Sequence, residues 1–176
     1  ALCLRIKPIV ALVGAFAFAF ATYEIVIIQA GHNSKAVTVA LMAPVLGAFI
    51  MAYRTNWKWG ALLSGLFMSF ELASNHLQVT YYLGILLFFL GLYELVTAIR
   101  LKAFKPFGIA TLGIIGAYAL ALFINYGNIS LTNDYAKHTI RGGNDVTISP
   151  EGLEVTNNTS GLDKEYITNW SYGVGE

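Results

Sequence analysis

The 176-residue chain holds a single cysteine, Cys3, so no disulfide framework can form within it. Charge is also scarce. Asp, Glu, Lys and Arg make up 12% of the residues, where a soluble domain carries roughly a quarter. That deficit marks a chain that lies mostly in lipid. The net charge is +1 and no basic patch stands out, so nucleic acid is not an expected partner. The GxSxG, P-loop and GxGxxG motifs are missing, as are the HxH, HxxxH and HExxH spacings of metal sites. No signal peptide is legible, because the first apolar run is too long for an h-region and lacks a small-residue cleavage site. The opening "ALCLRIKP" and the closing "SYGVGE" read as cuts, which leads us to expect a piece of a longer polytopic protein.

What is present is apolar, at 56% of residues. Residues 9–30, 36–53, 57–74, 78–99 and 106–126 each span or nearly span a bilayer, which takes about 20 mainly apolar residues. "AFAFAFA" in the first alternates like a strand, but an open sheet edge in lipid would leave backbone groups unpaired, so helix is expected. The expected fold is an all-α polytopic membrane protein with about five transmembrane helices in residues 1–126. A polar exterior segment, residues 127–176, follows. Arg5, Lys7, Arg54, Lys58, Arg100, Lys102 and Lys105 flank one side of the spans and only Lys35 the other, which places "AGHNSK", "SNHLQ" and residues 127–176 outside. Gly113, Ala117 and Ala121 form a small-residue stripe suited to close helix packing. In the exterior segment, "VTISPEGLEVT" predicts a short strand pair and "GLDKEYITNWSYG" a short helix.

Three glutamates remain within the spans, Glu24, Glu71 and Glu94. A charge at the bilayer centre costs roughly 2.5–3.5 kcal/mol, so each should face protein or a cavity. Glu94 lies toward the lysine- and arginine-rich side, within snorkelling distance of Arg100, and reads as structural. Glu24 and Glu71 lie below exterior turns that carry His32 and His76. Two readings stay open. The histidines are wet turn residues over glutamates bonded between helices, or they form a site with them. If the helix holding Glu71 runs on for one more turn, Glu71, Asn75, Gln78 and Tyr82 make a polar stripe suited to a hydroxylated substrate or an ion. His32, His76 and Glu71 together could ligate a cation. No metal site is assigned, and a divalent cation is the one cofactor these residues would admit.

"AGHNSKAVTVALMAPVLGA", "ASNHLQVTYYLGILL", "DYAKHTIRGG" and "GLDKEYITNWSYGVGE" together resemble YfhO-type bacterial membrane proteins, in particular versions from the Bacteroidetes lineage. The resemblance runs over nearly the whole chain, and "NHLQVTYY" and "LDKEYITNWSYG" are its most specific pieces. It implies a polytopic GT-C-type glycosyltransferase in the bacterial cytoplasmic membrane. Such an enzyme takes sugar from a polyprenyl-phosphate carrier on the outer face and passes it to an envelope polymer or glycolipid. The catalytic acid is then expected on an exterior loop outside this chain. His32, Asn75, His76, Gln78, Tyr81, Tyr82, Arg141, Trp170 and Tyr172 fall on the matched motifs. Glu71 and His76 are the catalytic candidates. Arg141, His32 and His76 would meet the leaving phosphate, and Trp170 and Tyr172 offer flat faces to a sugar ring. The rival readings are a transporter or lipid-carrier flippase that uses Glu24 and Glu71, and a non-catalytic envelope scaffold.

Overall fold

The computed structural model describes residues 2–137. Within them every regular element is helical. A turn of 3-10 helix, Leu2–Leu4, leads into α1 (Pro8–Ala19), α2 (Thr22–Gln29), α3 (Asn33–Arg54), α4 (Trp57–Ala73), α5 (Leu77–Arg100), α6 (Phe104–Ile124) and α7 (Tyr126–Lys137). The chain divides into two compact units, Ala1–Asn128 and Ile129–Glu176. The strand pair and short helix expected around Pro150 and Trp170 lie outside the described residues.

Four segments are long and apolar enough to cross a membrane: Pro8–Gln29, Asn33–Arg54, Leu77–Arg100 and Phe104–Ile124. They are consistent with a multi-pass membrane protein. Two of the expected spans show features their apolar runs did not announce. The first is broken in two, because Ala21 takes an extended backbone (φ −59, ψ 135) between α1 and α2. Glu24 thereby falls in the first turn of α2, where a carboxylate opposes the positive end of the helix dipole. The third expected span, α4, has 17 residues, about 25 Å at 1.5 Å per residue, at the short end of what crosses a bilayer. α3 and α6 make their most extensive packing against it.

The helix ends show why the chain turns where it does. Pro8 opens α1 at its first position, where a missing N–H is harmless. Asn56 caps α4, its side-chain oxygen accepting from the Lys58 and Trp59 N–H groups at 3.1 and 3.2 Å. Three ends close on a left-handed residue: Gly31 after α2, Asn75 after α4 and Lys102 after α5. After α5 the Lys102 N–H donates to Ile99 and the Ala103 N–H to Ala98, the paired bonds of a Schellman motif. α6 ends on Asn125, whose Nδ2 donates to the Ala121 carbonyl and to the carbonyl and hydroxyl of Ser69 on α4. α7 starts at once, twelve residues with no proline to interrupt the ladder, where the sequence reading expected only polar exterior chain.

Lipid tails are as apolar as leucine, so helices in a membrane gain by approaching closely rather than by hiding from water. α4 meets its neighbours through small residues. A Cβ on Gly60 would sit against the backbone N and Cα of Ala52 on α3. One on Gly65 would lie 2.6 Å from the Ala117 Cβ on α6, and one on Gly113 3.2 Å from the Ala61 Cβ. The Gly113–Ala117–Ala121 stripe thus packs against α4, as its spacing predicted. α1 buries none of its side chains, and Phe16, Phe18 and Phe20 stand exposed, as on a lipid-facing helix.

Candidate functional site

Glu71 sits one turn before the end of α4 and is fully buried. The helix does not run on. Asn75 takes φ 56 and reverses the chain, so α5 returns beside α4 and brings Thr80 against Glu71. The Thr80 hydroxyl is 3.0 Å from Glu71 Oε2 and 3.5 Å from the His76 carbonyl. With a single proton it donates to the nearer carboxylate. Glu71 Oε1 and His76 Nδ1 are both buried and find no hydrogen-bond partner among the described residues. Buried polar atoms are nearly always paired, so two orphans flanking the same α4–α5 turn single out this corner of the bundle.

The turn also corrects the polar stripe expected from Glu71 to Tyr82. Asn75 is where it is because asparagine tolerates the left-handed backbone that the reversal needs. Gln78 donates to the Tyr82 hydroxyl at 3.3 Å on the exposed side of α5, and Tyr81 and Tyr82 are exposed with rings 5.9 Å apart. Of the polar stripe, Glu71 alone faces the interior here, with the Thr80 hydroxyl between it and the His76 backbone carbonyl. Thr80, the residue that bonds Glu71, was missed, and a threonine near the start of the next helix gives no sequence signal.

Beyond Thr80 an apolar cleft of about 550 Å³ runs between α5 and α6, floored by α3 and α4. It extends from Thr80, Leu72 and Leu122 at one end to Leu95, Tyr53 and Phe107 at the other. That is roughly 22 Å along α5 at 1.5 Å per residue. Phe88, Ile115 and Leu122, all exposed, flank its open side. Its hydroxyls are tied down. Tyr53 donates to Thr111 at 3.1 Å, Thr111 to the Phe107 carbonyl, and Tyr118 to the buried Ser64 hydroxyl at 2.7 Å. Thr80 is the cleft-lining group behind which a buried carboxylate stands.

The other candidates disperse. His32 is exposed at the start of α3, and its side chain does not cap that helix. Glu24 is half-buried in a separate cavity of about 890 Å³, lined by residues 6–28 and 36–43. Among the described residues no three His, Cys, Asp or Glu side chains gather as metal ligands, so His32, His76 and Glu71 do not form one set. Glu94 pairs with Arg54 of α3, Nη2 to Oε1 at 2.7 Å and Nε to Oε1 at 2.8 Å, and not with Arg100. This is the structural role expected for it, with a different partner. Arg141, Trp170 and Tyr172 lie outside the described residues. No family model, curated protein or solved structure matches the chain, so none identifies a family for it.

Proposed function

We propose that the chain belongs to a polyprenyl-phosphate-dependent glycosyltransferase of a bacterial cytoplasmic membrane, with the Glu71 end and residues 127–176 on the outer face. The observation that carries the reading is the pairing of a long apolar cleft with a polar corner at one end. A donor with an isoprenoid tail and a phosphate-linked sugar has that same division. The tail lies along α5 and α6, and the head sits by Thr80 and His76.

In the transfer, an acceptor hydroxyl oxygen attacks the anomeric carbon and loses its proton to a base. The bond from that carbon to the phosphate oxygen breaks, and the polyprenyl phosphate leaves with the electron pair. The base is expected on an exterior loop elsewhere in the protein. Glu71 is a positioning residue: by accepting the Thr80 proton it turns the Thr80 oxygen lone pairs toward a sugar hydroxyl. His76 Nδ1, buried and without a partner among the described residues, would donate to the departing phosphate. An envelope polymer or glycolipid would accept the sugar.

The test replaces Glu71 and His76 separately with alanine in the full-length protein and follows sugar on the envelope polymer. Loss of the sugar at normal protein levels is expected. Normal glycosylation in both variants removes the proposal. A lipid-carrier flippase is the second reading, favoured by the fully buried carboxylate with one unpaired oxygen. It predicts lipid carrier trapped on the inner leaflet in the Glu71 variant, with transfer intact when the donor is supplied from outside.

A further inference from the structure

At the end of the bundle opposite Glu71, a cavity of about 410 Å³ with a mixed polar and apolar lining opens among the 3-10 turn, the end of α3 and the last turns of α5. Arg5, Arg54, Glu94 and Thr97 line it, and Leu4 and Leu101 form its apolar rim. Its charge does not cancel. Arg54 is engaged by Glu94 through Nε and Nη2, both on Oε1, and its guanidinium lies 5.5 Å over the Tyr93 ring. Of the five N–H donors of an arginine, three remain on Arg54. Arg5 is exposed, takes no part in the one ion pair among the described residues, and holds a left-handed backbone at φ 57. Two arginines against one glutamate leave a single positive charge, with Arg100 and Lys102 close along the chain.

We infer that this cavity binds the phosphate headgroup of an anionic phospholipid. A fixed guanidinium and a free one, set between helix ends, suit a phosphodiester. The rim decides between a lipid and a free phosphate ion. Leu4 and Leu101 are 47% and 72% exposed and line the same cavity as the two arginines. A soluble anion has no use for them, whereas the glycerol and acyl chains of a bound lipid would cover both. The inference is independent of the glycosyltransferase reading, since the cavity shares none of the Glu71, His76 and Thr80 group.

The test titrates the purified full-length protein in neutral detergent with phosphatidylglycerol, phosphatidylcholine or inorganic phosphate, read by native mass spectrometry. Phosphatidylglycerol should bind in preference to phosphatidylcholine. Arg5→Gln should weaken it about fivefold, the effect of one surface cation on an anionic lipid. Arg100→Gln, at the same end but outside the cavity, should change it by less than about twofold. Arg5 is exposed and glutamine meets the same backbone, so the thermal midpoint should not move, which keeps a binding loss distinct from unfolding. Equal losses in the two variants would mean general surface attraction and overturn the site. No loss with Arg5→Gln would overturn it as well, and inorganic phosphate binding as well as the lipid would overturn the lipid assignment.

Discussion

The contact between α4 and α6 can be tested by exchanging one methyl group between helices. In Gly65→Ala the new Cβ would stand 2.6 Å from the Ala117 Cβ and 3.1 Å from the Ala117 carbonyl oxygen. Carbon atoms rest at about 3.5–4.0 Å, so the helices must part by roughly 1 Å. Overpacking of this kind costs about 1–3 kcal/mol, offset by up to about 1 kcal/mol because alanine favours helix over glycine. A net loss near 1.5 kcal/mol is expected. Ala117→Gly alone should cost about 1 kcal/mol in helix propensity. The double variant removes the worst overlap and leaves only the 3.1 Å approach to the carbonyl, so it should recover most of the loss. With the double variant at a loss of about 0.5 kcal/mol, the coupling is about 2 kcal/mol and far exceeds the ~0.5 kcal/mol scatter of independent sites. Gly60→Ala behaves differently. Its Cβ would meet the backbone of Ala52, so Ala52→Gly should give little rescue. Reversible unfolding in mixed micelles measures all six variants. Strictly additive losses at 65 and 117 would refute the close approach of α4 and α6.

Two further substitutions probe the buried carboxylates. Thr80→Val keeps the shape but leaves both Glu71 oxygens unpaired, and should cost about 1–3 kcal/mol, whereas Thr80→Ser keeps the hydroxyl and should cost less. The same unfolding assay would contradict the Thr80–Glu71 bond if valine proved as stable as serine. Glu94→Gln breaks the pair with Arg54. The cost of a buried pair is 3–5 kcal/mol, but the Arg54 side chain is 36% exposed, so about 1–2 kcal/mol is expected after solvent screening. Arg100→Gln should leave stability unchanged, and a larger loss there than with Glu94→Gln would restore Arg100 as the partner.

The helices were legible because long apolar runs have few alternatives in lipid. The stripe at Gly113, Ala117 and Ala121 was legible too, since small residues four apart mean close packing whatever the partner. Its counterparts on α4, Gly60 and Ser64 with Ala61 and Gly65, repeat that four-residue spacing and carried the same signal, which the sequence reading did not use. The break at Ala21 carries neither proline nor glycine, so local sequence does not announce it. At the site, the stripe from Glu71 to Tyr82 assumed a continuous helix. Asn75 held the contrary signal, because asparagine is among the few residues that enter the left-handed region readily. Reading it as a helix end would have turned Gln78 and Tyr82 outward and drawn Thr80 in. Glu94 was assigned to Arg100 by nearness in sequence. Residues three or four apart share a helix face and residues six apart do not, and the actual partner, Arg54, comes from another helix.

The central claim is that the cleft along α5 and α6 receives the apolar tail of a lipid-linked substrate with its head at Thr80 and Glu71. Gly84 lines that cleft, and a Cβ added there meets nothing within 4 Å. Gly116 is equally open but lies outside it. Gly84→Leu should therefore fold normally and fill the cleft, whereas Gly116→Leu leaves it free. The deciding measurement is the affinity of the purified full-length protein for undecaprenyl phosphate. The account predicts a loss of about tenfold or more, at least about 1.4 kcal/mol, for Gly84→Leu and none for Gly116→Leu. Equal, undiminished affinity in both variants would contradict it.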